Sequence, residues 1–124
     1  MDRIFICLAS ILGGLSVMAG AFGAHSLKAQ ISESALEIFK TGAQYQMYHA
    51  LALLFIGLWI NQTETPQSVV MAAGWAWIAG IVIFSGSLYA LSLTGIKWLG
   101  AIAPLGGVAF IIGWGCLAFV AIKL

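Results

Sequence analysis

Charge is what this chain has least of. Five basic and four acidic side chains are spread over 124 residues, 7% of the total, where soluble domains carry about 25%. Nine charges cannot coat a soluble particle of this size, so a water-soluble domain is excluded. A net charge of +1 offers no basic patch to neutralise phosphates, which excludes a nucleic-acid binder. Cysteine is nearly absent too: Cys7 and Cys116 are the only two, too few for a disulfide-stapled miniprotein. Proline occurs twice, at Pro66 and Pro104, so long helices are free to form. No Ser-His-Asp set, phosphate loop or His-Glu-x-x-His pattern is present, and an enzyme is not expected.

What is there is apolar. Hydrophobic residues make up 62% and mean hydropathy is +1.05, the opposite of a disordered chain. The apolar runs are long and do not alternate, which points to helices rather than a barrel. Residues 4–24, 69–93 and 98–122 each suffice to span about 30 Å of hydrocarbon. The 21-residue first run is longer than the apolar core of a cleaved signal peptide.

The second span is less plain, because only residues 50–60 are purely apolar. Its entry, residues 43–49, holds Gln44, Tyr45, Gln46, Tyr48 and His49. A span over 43–60 follows if those first turns face other helices. Ahead of it, Ser34 and Glu37 have capping-box spacing, and Leu36, Phe39, Ala43, Met47, Ala50 and Leu54 form a helical stripe. The simplest reading is one helix over 35–60, with an amphipathic lead-in at 35–42. An in-plane helix broken near Gly42 is the alternative.

Residues 61–68 link the second and third spans, and residues 94–97 link the third and fourth. Such short links make antiparallel neighbours, so the expected fold is an all-α membrane protein: an up-down-up-down bundle of four transmembrane helices in a single domain, 1–124. Both termini and the Pro66 loop share one side, side A. Lys28, Lys40 and Lys97 lie on side B against Arg3 and Lys123 on side A, a margin of one that fixes no orientation.

Lipid tails are as apolar as leucine, so small residues that let backbones approach must hold the helices together. Ser16, Gly20 and Ala24 repeat at four-residue steps, and Gly80, Gly106 and Gly107 are further packing candidates. Pro104, just ahead of the two glycines, predicts a kink. Trp75 and Trp77 are expected to anchor the third span at headgroup level, while Trp114 packs within the bundle. Cys7 and Cys116 fall in the same half and are expected to be apolar fillers able to approach one another.

By depth, the polar residues gather in the side-B half: His25, Tyr45, Gln46, His49, Ser85, Ser87 and Tyr89. Unbonded polar groups are costly in hydrocarbon, so a hydrogen-bonded cluster is expected there. Two histidines make an incomplete zinc site, and neither a metal nor another cofactor is expected. All four carboxylates lie outside the spans, which disfavours a proton-coupled carrier.

The segments Gly20-Ala21-Phe22-Gly23-Ala24-His25, Tyr45-Gln46-Met47-Tyr48-His49-Ala50, Phe84-Ser85-Gly86-Ser87-Leu88-Tyr89 and Pro104-Leu105-Gly106-Gly107 carry a resemblance. The chain resembles a family of small four-span membrane proteins that includes the bacterial YgdD-type and YwdK-type proteins and eukaryotic relatives of transmembrane protein two-five-six. That resemblance implies a multi-pass protein of the bacterial inner membrane and carries no activity with it. The leading expectation is a non-enzymatic structural, assembly or accessory subunit of a membrane complex. Its partners would be the lipid bilayer and a membrane protein or further copies of itself. The alternatives are a small quinone-, lipid- or haem-binding protein using His49, Tyr45 and Gln46, and an oligomeric channel or carrier.

Overall fold

The computed structural model of the chain describes residues 1–63 and 68–123. Four helices account for most of it: α1 (Asp2–His25), α2 (Glu33–Asn61), α3 (Ser68–Thr94) and α4 (Leu99–Lys123). By length and composition α1, α3 and α4 can each cross a membrane. α2 is long at 29 residues but carries the polar side chains. Pro66 and Glu64 of the second linker fall outside the described residues.

Local chemistry sets the ends. α2 is one unbroken helix, so the in-plane break near Gly42 is not formed. Its cap is Ser32, whose hydroxyl accepts from the Ala35 amide at 3.1 Å, rather than Ser34. The helix starts one turn ahead of its apolar stripe, which leaves Ser34 and Glu37 inside it. α3 ends on Gly95, whose φ of 73° is the left-handed conformation that closes a helix and suits glycine. Within α3, residues Ile81–Ser85 form one wide π-helical turn. α4 runs on through Pro104 without a break.

Neighbours are antiparallel. Along α1 and α2, Gly57 meets Ile6, Gly13 meets Ala50, and Gly23 meets Phe39. Along α3 and α4, Gly80 meets Phe110 and Gly106 meets the Phe84 backbone. α1 and α2 pack chiefly on each other, α3 packs chiefly on α4, and α2 also packs on α3. The core that results contains Phe5, Leu53, Ile56, Trp77, Ile81, Phe110 and Val120.

Two expected packing residues are not at interfaces. A Cβ built on Gly20 meets nothing within 4 Å and Ala24 is exposed, whereas one on Gly107 would touch Phe84 of α3 at 3.9 Å. A step of four residues overshoots a 3.6-residue turn by about 40°, so a four-residue series drifts off its face. The α1 face that stays on α2 is Ala9, Ser16 and Gly23, whose seven-residue steps hold register. Gly80 and Gly106 do sit at the α3–α4 crossing, joined by Gly113 beneath the Trp77 indole. Trp77 is fully buried, its indole against Gly113, instead of standing at the headgroups. Cys7 and Cys116 are both free thiols, on helices that pack on different neighbours.

A side chain at Gly106 would drive into the Phe84 backbone, which cannot yield as a side-chain tip can. Gly106→Val is therefore expected to cost about 1–3 kcal/mol, the usual range for overpacking. Gly115→Ala, where an added Cβ meets nothing, should leave stability unchanged. Thermal unfolding in detergent checks the pair.

Candidate functional site

Gly42, Gln46 and His49 of α2 share one helical face at three- and four-residue steps, and all three are buried. α1, α3 and α4 each meet that face. Gln46 stands at its centre. Its Nε2 donates to the Leu12 carbonyl of α1 at 2.8 Å, and its Oε1 accepts from the Tyr89 hydroxyl of α3 at 2.6 Å. One amide thus joins three helices. Ser85 of α3 donates to the Gly42 carbonyl at 2.7 Å, and Ser16 of α1 donates to the Ala43 carbonyl at 2.7 Å.

His49 is 4% exposed and has both ring nitrogens engaged. Nδ1 lies 2.8 Å from the Tyr45 carbonyl, and Nε2 lies 3.0 Å from the Trp114 indole Nε1 of α4. A carbonyl only accepts and an indole N–H only donates. The imidazole is therefore the Nδ1–H tautomer, donating to Tyr45 and accepting from Trp114. Its plane lies on the Phe110 ring, with centroids 3.6 Å apart and 7° between planes, and Trp77 and Trp114 close its edges. Trp77 in turn donates to the Phe110 carbonyl at 3.2 Å. An iron or zinc ion at Nε2 would have to displace the Trp114 bond.

Of the residues expected in this cluster, Gln46, His49, Ser85 and Tyr89 are brought together by these bonds. Tyr45 contributes its carbonyl and its ring, which packs on Phe84 at 5.1 Å, while its side chain is 39% exposed. His25 is not part of the cluster. It ends α1 in an exposed position, two residues beyond the Gly23 contact with Phe39 and so nearer the helix end than Gln46 and His49. Ser87 is buried, but two residues along α3 from Ser85 and therefore on another face. Sequence reasoning missed Trp77, Phe110 and the bonds made by Ser16 and Trp114. One signal was available: Gly113 beside Trp114 leaves the room that the Trp77 indole fills.

The relay through Gln46 predicts a coupled pair. Tyr89→Phe removes one interhelical bond and is expected to cost about 1 kcal/mol. Gln46→Leu strands the Tyr89 hydroxyl and removes the bond to the Leu12 carbonyl, which keeps its own helical partner, for about 1–3 kcal/mol. The double variant should cost less than the sum, because both changes remove the same bond. A double-mutant cycle of unfolding in detergent measures the difference.

Comparison with known proteins covers this whole site. The family model described as "Protein of unknown function (DUF423)" matches residues 19–107. The chain is 50% identical over 121 residues to the UPF0382 membrane protein YwdK of Bacillus subtilis (strain 168), across 98% of both chains. It is 47% identical over 121 residues to a UPF0382 membrane protein of Staphylococcus epidermidis (strain ATCC 12228), across 98% of this chain and 97% of the relative. A UPF0382 membrane protein of Staphylococcus aureus is 49% identical, also over 121 residues, with coverage of 98% and 97%. No solved structure matches the chain. These matches carry the bacterial part of the resemblance.

Proposed function

The chain belongs to the DUF423 family of membrane proteins, whose function is unknown, and from that premise we propose a non-enzymatic structural, assembly or accessory subunit of a membrane complex. It sits in the bacterial inner membrane with four spans at about 4–24, 43–60, 69–93 and 98–122. The observation that carries this reading is the state of the polar core. Gln46, His49, Ser16, Ser85, Tyr89 and Trp77 all spend their hydrogen bonds on neighbouring backbone or on one another. Groups used in this way hold helices in register; they are not poised to react or to bind a cofactor.

The outer helices support the partner half of the reading. α1 packs chiefly on α2 and α4 chiefly on α3, so each keeps an open flank. On α1 that flank carries Cys7, Ser10, Gly14 and Met18, and Gly14 has open space where a side chain would stand. A close-packing helix of another membrane protein fits such a surface. A haem site at His49 asks for a nitrogen that Trp114 already holds, and a carrier asks for a polar face reaching water.

Isolation in mild detergent from the native membrane, followed by native mass spectrometry, tests this. The expected result is a complex containing a second membrane protein, with no haem band in the visible spectrum. A clean monomer without a protein partner overturns it.

A further inference from the structure

The core polar groups are paired, but a second polar set faces outward. Where α1 crosses α2 near side B, Gly20, Lys40, Ala43, Gln44, Met47 and Tyr48 line an open groove of about 450 Å³. Its depth follows from the helix register. Phe39 packs on Gly23, two residues short of the α1 end at His25, so Lys40 lies within a turn of that end. The lysine stem reaches the headgroup layer from there. Gln44 and Tyr48 follow one and two turns deeper, alongside the first span.

These groups are underused. Lys40 is exposed, and the ion pair found among the described residues is that of the Met1 amine with Asp2. Glu37 stands one turn outward on the same helix and makes no ion pair with Lys40. Gln44 Nε2 donates to the Tyr48 hydroxyl at 2.6 Å. That bond consumes one amide hydrogen and one phenol lone pair. The second amide hydrogen and the phenol hydrogen have no acceptor among the described residues, and unmet donors are costly beside hydrocarbon. The wall beside them is flat and apolar: Gly20, Ala43 and Met47.

We infer that this groove is a binding site for an anionic membrane phospholipid. Lys40 pairs with the phosphate, the Gln44 amide and Tyr48 hydroxyl donate to the glycerol-ester carbonyls below it, and an acyl chain lies along Gly20, Ala43 and Met47. Along the groove the cation stands at the headgroup end and the two donors lie deeper, with Ala43 and Met47 between them and Gly20 opposite as an apolar wall, an arrangement that suits a charged head, ester carbonyls and an acyl chain lying alongside. A two-fold contact between copies across the same groove would bring two Lys40 side chains into one crevice, so a lipid is the better occupant.

The test uses the full-length protein, delipidated in detergent and titrated with phosphatidylglycerol or phosphatidylcholine under native mass spectrometry. Phosphatidylglycerol should be retained in preference to phosphatidylcholine. Lys40→Ala should weaken its retention about fivefold, the weight of one lysine at an anionic surface. Lys40→Arg should retain it. Gly20→Leu fills the groove without changing charge and should also weaken retention, whereas Lys97→Ala on the exposed side-B loop should not. Positions 20 and 40 have room at the surface, so both variants should melt with the parent protein. Equal retention of the two lipids overturns the site, as does undiminished phosphatidylglycerol retention by both Lys40→Ala and Gly20→Leu. Displacement of the lipid by excess inorganic phosphate would assign the groove to a free anion instead, and a dimer in place of lipid adducts would assign it to a second copy.

Discussion

A polar group inside hydrocarbon has to find its partner within the protein, and α2 carries more such groups than the other three helices. That requirement organises the bundle. Gln46 and His49 cannot face lipid unpaired, so α2 must have helices against its polar face. α1 supplies the Leu12 carbonyl, α3 the Tyr89 hydroxyl, and α4 the Trp114 indole. The glycines then act as spacing. Bonds of 2.6–3.0 Å across helices need close backbones, and Gly42 against Tyr89 and Gly57 against Ile6 provide the approach. Leucine burial contributes little to this choice, because lipid receives leucine equally well.

The same accounting explains why His49 is held so firmly. One nitrogen must donate and the other must accept, and the flat stack on Phe110 fixes the ring between those two partners. A protonated imidazole would turn Nε2 into a donor facing the Trp114 N–H, which is also a donor. The surroundings therefore select the neutral ring. A histidine that stays neutral and fully bonded is a structural element, whatever its residue type suggests in isolation.

Much of this was legible in the sequence, and the reason is periodicity. The four helices, their antiparallel order and the gathering of Gln46, His49, Ser85 and Tyr89 all follow from run length and the 3.6-residue repeat. Direction around the helix was less legible. His25 ends α1 beyond the cluster on an exposed face, and Gly20 and Ala24 follow a four-residue series that drifts away from α2. Residue-type habits misled at Trp77: tryptophan favours headgroups, but Gly113 of α4 opens a space for its indole in the core. The α2 cap shifted from Ser34 to Ser32 because stripe and helix need not begin together.

The contrast between the two polar sets then bears on what the protein is for. Inside, donors and acceptors meet within one chain, and the geometry leaves the core little to offer another molecule. On the α1–α2 flank, Lys40, Gln44 and Tyr48 sit at the right depths with donors to spare. Stability alone would favour apolar side chains there, since lipid solvates them at no cost. Polar groups placed outward where they cannot satisfy themselves make sense when something in the membrane satisfies them. The proposed lipid site thus puts function on the lipid-facing exterior, with the paired core as the frame that holds that exterior in register.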